Sequence, residues 1–269
     1  MDILTHTLSG VAVGTVASSF DNSGFTQKLK IILLSGIAGA LPDLDAISLW
    51  SGFDSTLGTL FNLSTSGRDI YSAKFWYSHH AFLHSAVAGL LITGVLGVLF
   101  MLLGSSPKSG KKKSRLSILS KERFTLTAFF FGFLMHLIED MPTPASTWGG
   151  VNLLWPSNTY IGGFGYIWWW NNYDIFLIVV SVIIANILLM AIGGFLDFNI
   201  KRLTVMVFTL GFILAVYQIK TRGFDFAYKG RTVKYQEYET KSKEIQKEIL
   251  GEKLYTLMES FDNKLRIYF

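Results

Sequence analysis

Of 269 residues, 50% are hydrophobic and only 16% are charged, too few to coat a soluble globule, which carries about 25% charged residues. Cysteine is absent, which excludes a disulfide framework and a thiolate metal site. The net charge of +5 belongs partly to connectors between apolar segments and gives little support to nucleic-acid binding.

The first residues, Met1 to His6, lack a basic region, so no cleavable signal peptide is expected. Thr7–Phe20 and Ile31–Leu41 are short apolar segments rich in Gly and Ala. They fit tilted or partly inserted helices packed closely through small residues. Phe82–Leu103 has no Lys, Arg, Asp or Glu, and Ile175–Leu196 has no ionisable residue. A helix of about 22 residues is roughly 33 Å long, which matches a hydrocarbon core of about 30 Å. Phe124–Ile138 and Leu203–Ile219 are shorter spans of the same kind. The expected fold is all-α: a polytopic helical membrane bundle of about six membrane helices over residues 1–219. A charged amphipathic helical tail follows over 220–269. It is read as one or two surface helices interrupted near Gly251, able to lie on the membrane, meet a partner or cover the loops.

The connectors differ in charge. Ser105–Arg123 holds seven basic residues, Gln27–Lys30 holds Lys28 and Lys30, and Asn199–Arg202 holds Lys201 and Arg202. Ala46–Ser78 has only Arg68 and Lys74, and Met141–Asn172 has no Lys or Arg. The positive-inside rule assigns the basic connectors to the cytoplasm and the two long loops to the exterior. The Met141–Asn172 loop carries Trp148, Trp155, Trp168, Trp169 and Trp170, which reads as an interfacial anchor or a lid.

Every histidine lies in or beside an apolar segment: His6, His79, His80, His84 and His136. Ionisable groups near hydrocarbon are costly and point to a site or to mutual pairing. Asp43 and Asp45 follow Pro42, which stops the second segment. In an extended chain both carboxylates point the same way and repel unless a cation or proton lies between them. The plain alternative is a helix stop. His80 and His84 are spaced i,i+4, so on a helix their rings share one face; His79 stands at the helix entrance. His136 and Asp140 repeat that spacing, with Glu139 a nearby alternative. His6, one turn before Gly10, starts the first segment.

Alternating passes through the bilayer bring all of these to one membrane edge, the extracytoplasmic one if the basic connectors are inside. The expected centre is a divalent metal site built from His6, Asp43, Asp45, His80, His84, His136 and Asp140. Histidine-rich, thiol-free ligation favours zinc, with manganese the alternative.

The set of His6, Pro42-Asp43-Leu44-Asp45, His79-His80-Ala81-Phe82-Leu83-His84-Ser85 and His136-Leu137-Ile138-Glu139-Asp140 resembles the inner-membrane metal-dependent hydrolases of the LexA-regulated, membrane-bound type. The resemblance by motif covers about Met1 to Asp140. It implies a helical, zinc-dependent enzyme of a bacterial or archaeal cytoplasmic membrane, with His6, Asp43, Asp45, His84, His136 and Asp140 in the metal site. That family's third motif has Arg and Gly where this chain has Ala81 and Phe82, so a role of that Arg in holding an anion would be missing or moved. A looser similarity to zinc phospholipase C enzymes implies a phosphoester substrate.

The expected activity is hydrolysis of an ester or phosphoester such as a lipid headgroup. Two or three divalent ions bridge the ligands and activate a water, with Asp43 or Asp140 bridging metals or accepting the proton. The lipid bilayer is the expected partner. A metal or proton-coupled transporter and a scaffold acting through the tail are the rival readings. Gly149-Gly150 and Gly162-Gly163 lack the context of a phosphate loop, and Ser85 is read as a local hydrogen-bond partner rather than a nucleophile.

Overall fold

The computed structural model describes residues 2–104, 114–193, 199–231 and 234–265. Lys108 and Lys111 to Lys113 of the basic connector, and the end of the Ile175–Leu196 span, lie outside the described residues. The fold is helical. α1 covers Ile3–Phe20, α2 Phe25–Ala40, α3 Gly67–Ser72, α4 Ala86–Leu103, α5 Arg115–Asp140, α6 Tyr173–Ile192, α7 Ile200–Lys220 and α8 Tyr235–Leu265. Among the described residues there is no strand, only isolated bridges within and onto the α5–α6 loop.

Four helices are long and apolar enough to cross a membrane: α1, α4, α6 and α7. A fifth candidate is α2 with the 3₁₀ helix Pro42–Leu49, bent by 45° at Leu41. The sequence suggests about six. α5 is the difference: Arg123 near one end and Glu139 and Asp140 at the other make it too charged to qualify by composition. Only 17% of the apolar stretch of α4 and 11% of that of α7 is buried. Residues such as Leu91, Val95, Leu210 and Ile213 stay more than half exposed. An apolar face of that extent fits lipid rather than water.

α1, α2 and α5 form the centre of the bundle. Gly10 lies against the backbone of Ser35 and Gly36, and Gly39 against the carbonyl of His6; a Cβ at either would overlap those atoms. Small residues let helix backbones approach this closely. Ser35 Oγ donates to the Ala128 carbonyl across the α2–α5 contact at 2.9 Å. α4 closes the bundle by packing Ala88 into the cluster of Ala38, Phe129, Phe133 and Leu137.

α8 breaks at Gly251, whose φ of 73° and ψ of 158° are not helical. Ile245, in its first part, packs on Trp168 of the α5–α6 loop. Tyr255 and Met258 pack on Tyr173 and Phe176 of α6. The connector from α7 forms a strap over the α5–α6 loop: Phe226 N donates to Gly165 O at 2.8 Å and Gly230 N to Ser146 O at 2.9 Å. Arg222 in this strap donates to both oxygens of Asp174, at 2.9 and 3.2 Å. Gln246 of α8 adds a bond to the same carboxylate at 3.0 Å.

Candidate metal centre

The ends of four chain segments meet at one edge of the bundle. Asp2 caps α1 by accepting from Thr5 N at 2.7 Å, which sets His6 in the helix's first turns. α2 ends at Ala40 and runs into the 3₁₀ helix, so Asp43 and Asp45 are not in an extended chain and do not share a direction. The His79–His84 stretch is a series of turns, not the start of a span. Ser85 is the N-cap of α4: its Oγ accepts from Ala88 N at 3.0 Å and donates to Phe82 O at 2.6 Å. His80 and His84 therefore do not meet by i,i+4 helical spacing. Their rings stack at 4.7 Å because His80 takes a left-handed backbone with φ of 64°. Such a conformation is uncommon for a residue with a side chain and is held by its surroundings. His136 and Asp140 do sit one turn apart at the end of α5.

Each imidazole is anchored through Nδ1. His136 donates it to Gly39 O at 2.7 Å and His80 to Gly150 O at 2.9 Å. A carbonyl only accepts, so Nδ1 carries the proton and the neutral ring leaves a lone pair on Nε2. His84 Nδ1 bonds Asp45 at 2.8 Å, His79 Nδ1 bonds the other Asp45 oxygen at 2.6 Å, and His6 Nδ1 bonds Glu139 at 2.8 Å. Burial, and next to it the imidazoles of His79 and His84, push the pKa of His80 well below the usual histidine range.

The Nε2 atoms of His6, His84 and His136 converge on Asp140. His6 Nε2 lies 3.1 Å from Asp140 Oδ1, and His136 and His84 Nε2 lie 3.1 and 3.4 Å from Oδ2. The two latter nitrogens are 3.2 Å apart. Asp43 Oδ1 completes the cluster at 3.5 Å from His136 and 3.8 Å from His84. His80 Nε2 is 3.9 Å from Asp140. The three imidazoles are fully buried, and Asp140 is 4% exposed.

These groups suit a cation. With Nδ1 donated to Gly39 O, neutral His136 turns the lone pair of Nε2 toward His84 Nε2, 3.2 Å away, and into the cluster. The buried Nε2 of His6 pairs with the carboxylate of Asp140, 3.1 Å away. Tetrahedral zinc with nitrogen and oxygen ligands at about 2.0–2.1 Å needs donors about 3.3 Å apart, close to the separations here. Three donor groups could each hold an ion: His79, His80 and His84; His6, His136 and Asp140; and Asp43, His84 and His136. The first two share no residue and the third draws on both, so the donors suffice for two ions at once.

The structure brings His6, Asp43, His80, His84, His136 and Asp140 together as one cluster. Asp45 is set apart, since both its oxygens face Nδ1 atoms. The carbonyls of Gly39 and Gly150 give no signal in a sequence. Glu139 gives one only as an alternative to Asp140, and its spacing does not point to its part, holding His6. Trp148, in the loop, stacks on His80 at 4.6 Å and donates Nε1–H to Tyr71 O at 2.8 Å. Trp168 is fully buried against Phe226 and Ile245. These tryptophans are packed into a roof rather than spread as an exposed belt.

No curated protein and no solved structure matches the chain. The model of a family described as YdjM inner membrane protein matches residues 1–224. That stretch holds α1 to α7 and every residue of the cluster, and it agrees with the apolar helices on an integral membrane location. The chain therefore belongs to the YdjM inner membrane protein family.

Proposed function

We propose that this protein is a membrane-embedded, metal-dependent hydrolase of an ester or phosphoester, working at the extracytoplasmic edge of the membrane. The observation that carries the reading is the convergence of three buried, Nδ1-anchored imidazoles on one shared carboxylate. His6, His84, His136 and Asp140 are the ligands in this reading, with Asp43 and His80 completing a second position. Zinc is the metal that thiol-free, imidazole-rich ligation favours. Asp45 was expected as a ligand; its contacts support a positioning role, holding the rings of His79 and His84.

When bound, the metal supplies Lewis acidity that polarises the substrate and makes water a better acid. The chain's own groups do the rest. Asp43 is 17% exposed against 4% for Asp140, and it has the longer contacts. That leaves Asp43 free to accept a proton while Asp140 stays committed to the imidazoles. The water oxygen bonds to the phosphorus or acyl carbon, the bond to the leaving oxygen breaks, and the water proton passes through Asp43 to that oxygen.

The transport reading has less support. Below His6, the buried polar residues Thr15, Ser18 and Ser19 bond back to carbonyls of α1. Thr15 and Ser19 also meet Asn186 and Thr204. These groups carry no charge. The test is metal content and lipid hydrolysis by the purified full-length protein. Stoichiometric metal, lost together with activity in His84→Ala and Asp140→Ala, supports the proposal; full activity in metal-free protein overturns it.

A further inference from the structure

A cavity of about 720 Å³ opens beside the cluster. Asp43, His79, His80 and Asp140 line it on the side of the centre, and Tyr71 and Trp148 line it where they stack on His79 and His80. Two arginines from distant parts of the chain also line it: Arg68 of α3 and Arg231 of the strap. The loop that carries Arg68 has only one other basic residue, Lys74, and Lys74 lies over the ring of Tyr160 at 4.7 Å. Arg68 is thus that loop's one cation at the cavity. Among the described residues it forms no ion pair, and the single pair of Arg231, with Asp69, is 3.7 Å long between exposed side chains, a contact worth little. Ile3, Ala46 and Leu49 line the same cavity. Exposed Leu44, Ile47 and Trp50 continue their apolar surface along the 3₁₀ helix.

We infer that the cavity takes an amphiphile whose head bears a phosphate group, with the phosphate oxygens accepting from Arg68 and Arg231. The inference rests on the hydrolase reading and narrows its substrate. Guanidinium forks match phosphate oxygens in pairs, whereas an uncharged carboxylic ester gains nothing from two cations. The carboxylates of the centre would repel an anion, so the cations are needed where the head enters. Ile3 and Leu49 give the apolar part a way out into lipid.

The test is binding of short-chain phosphatidic acid, of diacylglycerol with the same chains, and of inorganic phosphate to the full-length protein in neutral detergent. Wild type should prefer the lipid phosphate over diacylglycerol by at least about tenfold, the size of one charged hydrogen bond. Arg68→Gln and Arg231→Gln should each reduce that preference several-fold, Arg68→Lys should restore part of it, and the double variant should abolish it. Inorganic phosphate binding as tightly as the lipid would identify a free anion as the ligand and overturn the amphiphile. A preference unchanged in the double variant overturns the inference even if metal and hydrolysis are present. If His84→Ala shows the hydrolase reading to be wrong while the arginine-dependent preference persists, the binding site stands without it.

Discussion

The histidines of the centre are held by two kinds of partner. His80 and His136 lean on backbone carbonyls, which no side-chain substitution removes, while His6 and His84 lean on carboxylates. The carboxylate-held pair is therefore open to test. Asp45→Asn should leave the fold intact and weaken metal binding by about 10–100-fold, the usual effect of losing a ligand's orienting partner. A chelator competition that finds wild-type affinity would show that Asp45 orients nothing. The histidines and carboxylates could be read from the sequence because ionisable residues stand out against apolar segments. The carbonyls could not, since every residue has one. Which Asp faces inward was also hidden, because the turn after Pro42 is a 3₁₀ helix and not the extended chain its spacing suggested.

At the scale of helices, the spans followed from hydropathy and their ends did not. Phe82 belongs to the apolar run by composition, yet α4 begins only after Ser85, whose hydroxyl caps it. α5 looked like a short span and is a long helix whose final turn is polar. The contact between α1 and α2 depends on glycine. Gly10→Ala would press a methyl group onto the Ser35 backbone and should cost roughly 1–3 kcal/mol, as overpacking does, read as a lower melting temperature in detergent. The Asp174–Arg222 pair gives a second case: both side chains are almost fully buried. Arg222→Ala leaves a carboxylate unpaired and should destabilise the protein by roughly 3–5 kcal/mol. Proteolysis that releases α8 faster than in wild type would locate the damage at the strap. That pair was invisible in the sequence, where 48 residues separate the partners.

For the whole molecule, the positive-inside rule predicts an orientation, and the absence of cysteine makes that prediction measurable. A single cysteine at Ser66, beside the cavity loop, should react with an impermeant maleimide in intact cells. One at Ser117, at the start of α5, should react only after the membrane is opened. The reverse pattern would place the centre in the cytoplasm.

Gly39 has a consequence for the molecule as a unit. Its α-carbon is pressed onto the carbonyl of His6, and its own carbonyl takes the proton of His136. One residue thus sets both a close helix contact and the direction of the His136 ring. Loosening one loosens the other. Release of a bound ion and melting of the bundle should coincide as a single transition, and a chelator should lower the temperature at which it occurs.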